Sequence, residues 1–262
     1  MSQAPEHRAR ARKSLPVVDP AQDRVDGRTL HQAQRLIDEG KLDDAFRLLG
    51  PLTSEPSTSI RAHATLLAAA LLSRRGQPAL VIELLGRIPE PSADGRAAVV
   101  VDRGFFLLLR AQAARQLRHT DLALRDAQEA CTLGETPARL LVLADCLRAS
   151  GDVDGAVTVL KKARALDPVN VAVLGQLCGV LAIAGDDSGS DEVFAAFSAV
   201  KTEASDDADR HRNAAFALVC RGDFQEAVDA ARLAVDLEPA ITRAWLDDDD
   251  DMAPIRRDPR LL

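Results

Sequence analysis

PARLLVLADCLRASGDVDGAVTVLKKARALDPVN, residues 137–170, recurs almost place for place at 208–241 as ADRHRNAAFALVCRGDFQEAVDAARLAVDLEPAI. Each copy sets apolar residues at helical spacing on both sides of a Gly-Asp pair, Gly151–Asp152 or Gly222–Asp223, and closes at a proline, Pro168 or Pro239. Glycine suits the turn because a helix commonly ends on a left-handed residue, and the aspartate after it is placed to cap the second helix. Such a hairpin cannot bury its apolar face alone, so copies must stack on one another, which predicts a solenoid rather than a globule around one pocket.

Outward from these copies, the turn position can be followed as Gly40, Gly76, Arg118, Gly151, Gly185 and Gly222, at steps of 36, 42, 33, 34 and 37 residues. About six hairpins follow, at 26–59, 60–95, 96–136, 137–170, 171–207 and 208–241, with residues 242–262 as a C-terminal cap. Residues 1–25 hold Pro5, Pro16, Pro20 and the basic run Arg8, Arg10, Arg12 and Lys13, and read as a disordered tail. Inside the long step lies PEPSADGRAAVVVDRG, residues 89–104. Its prolines end one helix, and Ser92 or Asp94 is placed to cap another. An extended helix from about Gly95 to Leu117 is expected, with a loop between subdomains as the alternative. The fifth unit contains GDDSGSDE at 185–192 and lacks a closing proline near Lys201, so Gly179, Gly185 and Gly189 are expected to make it the flexible point.

Hydrophobic residues make up 47% of the 262 and aromatic residues only 3%, with no Tyr, so alanine and leucine must build the interior and helices can approach closely. A net charge of −7 and a pI near 5.3 exclude a general nucleic-acid-binding body, which needs a basic surface. Cys131, Cys146, Cys178 and Cys220 form no CxxC pair and read as reduced, buried thiols of a cytoplasmic protein. The longest apolar run, Leu66 to Leu72, is too short to span a membrane, and no signal peptide opens the chain. Arginine outnumbers lysine heavily, as a GC-rich bacterial genome would produce.

No catalytic constellation is present. His7, His31, His63, His119 and His211 lie too far apart for HExxH, and neither GxSxG nor GxxxxGK[ST] occurs. The expectation is a non-enzymatic protein with no catalytic residue, no metal site and no cofactor.

Small residues recur at one place in the first helix of each unit (Ala33, Ala69, Ala111, Ala144, Cys178, Ala215) and one in the second (Ala45, Val81, Ala123, Ala156, Ser190, Ala227). On these residues the chain resembles the tetratricopeptide repeat (TPR) family, whose period is about 34 residues. The match is strongest at 137–170 and 208–241. The resemblance implies an all-α, right-handed superhelical solenoid whose first helices line a concave face that binds peptides or helices of partner proteins. Trp245 stands at the family's tryptophan position, as if opening a seventh unit, before the chain breaks into Asp247–Asp251. That run reads either as a solvated turn or as a captor of a basic ligand or metal, although it lacks the EF-hand pattern.

In this register the groove offers Leu30 and Gln34, then Leu66 and Arg74, then Leu108, Gln112 and Arg115, then Leu141, Asp145 and Arg148, then Gln176, and last Arg212, Asn213 and Phe216. Arg115 and Arg148, 33 residues apart, should project side by side. Paired guanidinium groups suit an acidic or carboxylate-bearing peptide. The alternative is local pairing, Arg148 with Asp145 and Arg115 against Gln112. The first helices of the first three units present no lysine for the carboxylate clamp by which some family members hold chaperone tails. The expected function is a scaffold or adaptor binding a protein partner in this groove, with no nucleic acid and no membrane span. A ligand-responsive sensor and a structural subunit of a larger complex are the alternatives.

Overall fold

Thirteen helices and no strand form along residues 20–39, 41–54, 58–88, 101–200 and 207–261, which are the residues that the computed structural model describes. They pair in chain order: α1 (Pro20–Asp38) with α2 (Leu42–Leu52), α3 (Thr58–Arg74) with α4 (Pro78–Leu85), and α5 (Arg103–Gln116) with α6 (Thr120–Thr132). Then come α7 (Pro137–Ala149) with α8 (Val153–Leu166), α9 (Val171–Ile183) with α10 (Asp187–Ala199), and α11 (Ala208–Arg221) with α12 (Phe224–Leu237). A last helix, α13 (Pro239–Asp248), is followed by short 3-10 turns at Asp250–Met252 and Pro259–Leu261. The first helices of successive hairpins also pack side by side, from α1 on α3 to α9 on α11, so odd-numbered helices line one face of the array.

Small residues decide where paired helices touch. All twelve repeat positions named above, from Ala33 to Ala227, are at most 1% exposed. In the fifth unit the pair is Cys178 and Ser190, and burial there is compatible with the hydroxyl because Ser190 Oγ donates to the Cys178 carbonyl at 3.0 Å.

The turns follow the same register. Gly76, Gly151, Gly185 and Gly222 have φ between 63° and 89°. Arg118, the position without glycine, has φ 62° and is the one non-glycine residue with positive φ among those described. A residue with a Cβ accepts that conformation at a cost of about 1–2 kcal/mol.

Several expectations need correction. Helix α1 begins at Pro20, not at 26, and proline is favoured there because the first turn of a helix needs no N–H partner. Residues 1–19, with the basic run, lie outside the described residues, as do 89–100 with Ser92 and Asp94 and 201–206 around Lys201. The third unit opens with Arg103–Gln116 instead of an extended helix from Gly95, because Asp102 caps it by accepting from Phe105 N at 3.1 Å. Asp152 caps α8 through Gly155 N at 2.9 Å, but Asp223 makes no side-chain cap and turns its carboxylate to Arg221 Nε at 3.3 Å.

Two glycines of the fifth unit, Gly175 and Gly179, serve close packing. A Cβ on Gly175 would lie 2.8 Å from the Cβ of Asn213 and 3.1 Å from its carbonyl oxygen, and one on Gly179 would overlap the Phe216 ring. Both glycines therefore let α11 settle directly on α9. Gly189 lies over the Asp186 cap. Gly185 follows α9 with φ 78° and open space around it, so close packing accounts for Gly179 and the cap for Gly189, but neither accounts for Gly185.

Enlarging Ala144 to Leu should lower stability by about 1–3 kcal/mol through overpacking, read as a lower urea midpoint at unchanged slope. Gly175→Ala should also be destabilising, because the Asn213 backbone cannot yield, even though alanine is favoured in a helix by about 1 kcal/mol. A midpoint at or above that of the wild type would contradict the packing of α9 on α11.

Candidate functional site

Side chains at equivalent places in a repeat array stand beside one another, which for Arg115 in α5 and Arg148 in α7 means two like charges on one face. The first counter-charge comes from between them. Asp145 accepts from Arg115 Nε at 2.5 Å and from Arg148 Nη2 at 2.7 Å. The local pairing of Arg148 with Asp145 is thus present, whereas Arg115 is held by Asp145 rather than by Gln112.

The remaining counter-charges come from the far end of the chain. Arg115 Nη2 donates to Asp248 Oδ2 at 2.9 Å. Arg118 binds both oxygens of Asp250, at 2.8 and 2.9 Å. Arg148 reaches Asp249 at 3.1 and 3.3 Å and also pairs with Asp251. Asp248 and Asp250 go to the third unit, and Asp249 and Asp251 to the fourth. The stretch 247–251 therefore forms an acidic strap across the groove. The solvated-turn reading fits the exposed Asp247 and Asp250 but not Asp249, which is only 7% exposed.

Apolar anchors hold the strap at both ends. Leu246 before it and Met252 and Ile255 after it are buried with Phe216, Val219 and Val228 of α11 and α12. Arg256 folds back to donate to the carbonyls of Asp247 and Asp249, at 3.2 and 2.8 Å, where α13 ends. The Arg148 guanidinium also lies 5.1 Å from the centroid of the Phe216 ring, within cation–π range.

Burial dominates the electrostatics. It lowers the pKa of Arg115, but Asp145, Asp248 and Asp249 outweigh it, and the guanidinium stays charged. Burial also raises the Asp249 carboxyl from its ordinary value, against the pull of Arg148 and Arg115. Nearby, burial pushes the Cys220 thiol up to about 12, and the same holds for Cys146, so both are protonated at neutral pH. The four cysteines are free thiols.

A cavity of about 410 Å³ remains between the odd-numbered helices and α13. Gln112, Leu141 and Asn213 line it, together with Arg115, Asp145 and Arg212, and Trp245 and Ile241 of α13 close it over. Arg212 is engaged by Glu238 at 2.8 Å and Thr242 at 3.0 Å, at the start of α13. Asn213 donates to the Asp209 carbonyl at 2.8 Å. Leu108 is partly buried against the neighbouring apolar cluster of Ala111, Ala114 and Val142, and it does not line the cavity although it belongs to the same face of α5 as Gln112. Sequence reading missed Gln116 and Arg118, and it named Gln176 and Arg74 as lining without assigning them a role. The buried side-chain oxygens of Gln116 and Gln176 have no hydrogen-bond partner, and both residues line the cavity. Arg74 stands exposed at its edge.

Among the described residues no group of His, Cys, Asp and Glu is arranged to hold a metal ion, and no helix is long and apolar enough to cross a membrane.

Arg148→Gln should destabilise by roughly 3 kcal/mol, because it leaves Asp249 buried without its main partner. Adding Asp249→Asn should recover part of that loss. Asp249 in the folded state holds its proton more tightly than in the unfolded chain, so folding gains as pH falls through its raised pKa. The gap between Arg148→Gln and wild type should accordingly narrow as denaturation is repeated at successively lower pH below neutrality. A gap that widens would refute the burial of an ionised Asp249.

No protein-family model matches the chain, and no curated protein matches it in sequence. Among solved structures, its fold is similar to that of PilF of Pseudomonas aeruginosa, with 14% identity and a TM-score of 0.55 over 87% of this chain and 100% of that one. MamA RS-1, as an ArsTM double mutant, is similar at 12% identity and a TM-score of 0.51, over 67% of this chain and 93% of that one. YrrB, described as a TPR protein with an unusual peptide-binding site, gives 18% identity over 69% and 89% of the two chains, with a TM-score of 0.40. With the helix pairing and the repeat register, the likeness to PilF and MamA shows the fold, an all-helical solenoid of the tetratricopeptide type.

Proposed function

We propose that the chain is a non-enzymatic interaction scaffold that holds a segment of a partner protein in its concave groove, on the floor formed by Leu108, Gln112, Leu141 and Asn213 beside Arg115, Asp145, Arg148 and Arg212. The observation that carries this reading is that Arg115 and Arg148 already grip carboxylates presented by a peptide segment, Asp248 to Asp251. Chemistry that binds an acidic strand from the same chain suits an acidic or carboxylate-bearing strand from another. The cavity beside the strap supplies what a strand's backbone needs. Gln116 and Gln176 offer unpartnered acceptors for main-chain N–H groups, and Trp245 and Leu141 offer apolar surface. Arg74 adds a cation at the edge.

Nucleic acid is disfavoured as the ligand, since the net charge is −7. Four free thiols suit a reducing compartment, which favours a cytoplasmic scaffold.

A photo-crosslinking amino acid placed at Gln112 or Gln176 in living host cells should give a discrete protein adduct, while the same group at exposed Lys161 in α8 should not. Adducts from Lys161 alone, or none from either groove position, would remove the groove as the binding site.

A further inference from the structure

We infer that residues 247–251 are a tethered occupant of a cradle formed by Arg115, Arg118 and Arg148, and that an acidic strand of a partner protein takes their place carboxylate for carboxylate. The inference rests on the groove reading above and adds to it both the chemistry of the partner and a built-in competitor.

Three features mark the strap as a ligand held against opposition rather than a settled piece of the core. The last turn of α13 contains Asp247 and Asp248 and no basic residue of its own, so its negative charges lie at the negative end of the helix dipole, where, apart from the cradle, only Arg256 from outside the helix offsets them. Five consecutive like charges repel one another. The fit is also incomplete, because the buried Nε of Arg148, a residue 10% exposed, has no hydrogen-bond partner. Two of the three arginines, by contrast, are also held from outside the strap. Asp145 bridges Arg115 and Arg148, the Phe216 ring lies beneath Arg148, and Arg118 occupies a left-handed turn where the other turns carry glycine.

Charge then names the occupant. With the strap lifted, Arg115, Arg118 and Arg148 face a single carboxylate, Asp145, so the exposed cradle carries an excess of two positive charges. Only an anionic segment restores the balance. Because Leu246 and Met252 anchor the strap on either side, it competes at high effective concentration, and a free acidic strand meets a nearly closed site.

The test uses the full-length chain and a fluorescein-labelled peptide with the sequence of residues 245–254, WLDDDDDMAP, alongside a twin with asparagine for each aspartate. Fluorescence anisotropy should show the acidic peptide binding at least tenfold more tightly to an Asp248→Asn/Asp249→Asn/Asp250→Asn/Asp251→Asn protein than to wild type. The asparagine twin should bind neither, and adding Arg115→Gln/Arg148→Gln should abolish the gain. Equal affinity for the two proteins, no binding by either, or binding that survives the arginine changes would each overturn the inference. Should the four-site variant fold poorly, unaltered protein gives the same answer. Saturating acidic peptide should speed hydrogen exchange at the Asp249, Asp251 and Met252 amides severalfold, and unchanged exchange would overturn the inference as well. A partner crosslinked at Gln112 while the acidic peptide fails would keep the scaffold and discard the strap.

Discussion

Where the two helices of a hairpin meet there is room for a small side chain and little more, and the other features of this chain follow from that contact. Alanine at 111 and 123, or at 144 and 156, lets the helices close until their larger neighbours interdigitate, and leucines such as Leu140, Leu160 and Leu174 are then excluded from water. The contact repeats along the chain, so each hairpin is set on the previous one through the same pair of faces. The groove is thus a consequence of packing on the other side of the helices. Gly175 and Gly179 carry the same logic further by letting α11 lie against α9.

Repetition has an electrostatic price. Residues at one register position become spatial neighbours, so Arg115 and Arg148 face each other across adjacent units, and burial to 16% and 10% exposure would be prohibitive for two uncompensated cations. Asp145 supplies one counter-charge from within the array, and the strap supplies the rest. Partly buried ion pairs of this kind contribute little net stability, since desolvation offsets most of their attraction. What keeps the C-terminus in place is the burial of Leu246, Met252, Ile255 and Leu261 against α11 and α12. The charges decide where the strap lies, and the apolar residues decide that it stays.

That division explains what could be read from sequence. The repeat register was legible because small residues and turn glycines recur at fixed spacing, and it extended even to Arg118, whose backbone adopts the glycine conformation. The candidate arginines were legible for the same reason. Their partners were not, because Asp248 lies 133 residues from Arg115 and Asp249 lies 101 from Arg148, and no local pattern encodes a contact at that distance. The complementary charge was visible all along in Asp247–Asp251. Seeing that the two belong together requires the curvature of the array, a property of the summed packing angles rather than of any one repeat. Gly179 was misread for a related reason: within its own helix a glycine looks like a weak point, and only the neighbouring Phe216 makes it a contact.

Curvature also determines what kind of groove results. The seventh helical segment returns far enough for Ala244 of α13 to meet the turn at Gly76 of the second hairpin, where a Cβ on the glycine would lie 2.9 Å from that of Ala244. The concave face is therefore partly roofed by α13, with Trp245 and Ile241 above the cavity and Gln112, Gln176 and Asn213 below. An open groove selects a ligand by sequence along its whole length. A roofed one also selects by thickness, because a strand passes beneath α13 more readily than a helix of about 10 Å diameter does. Floor glutamines with unpaired carbonyls match that shape, since the extended backbone is the part of a strand that presents N–H groups at regular intervals. This shape supports the extended acidic segment proposed above over an amphipathic helix as the groove's partner.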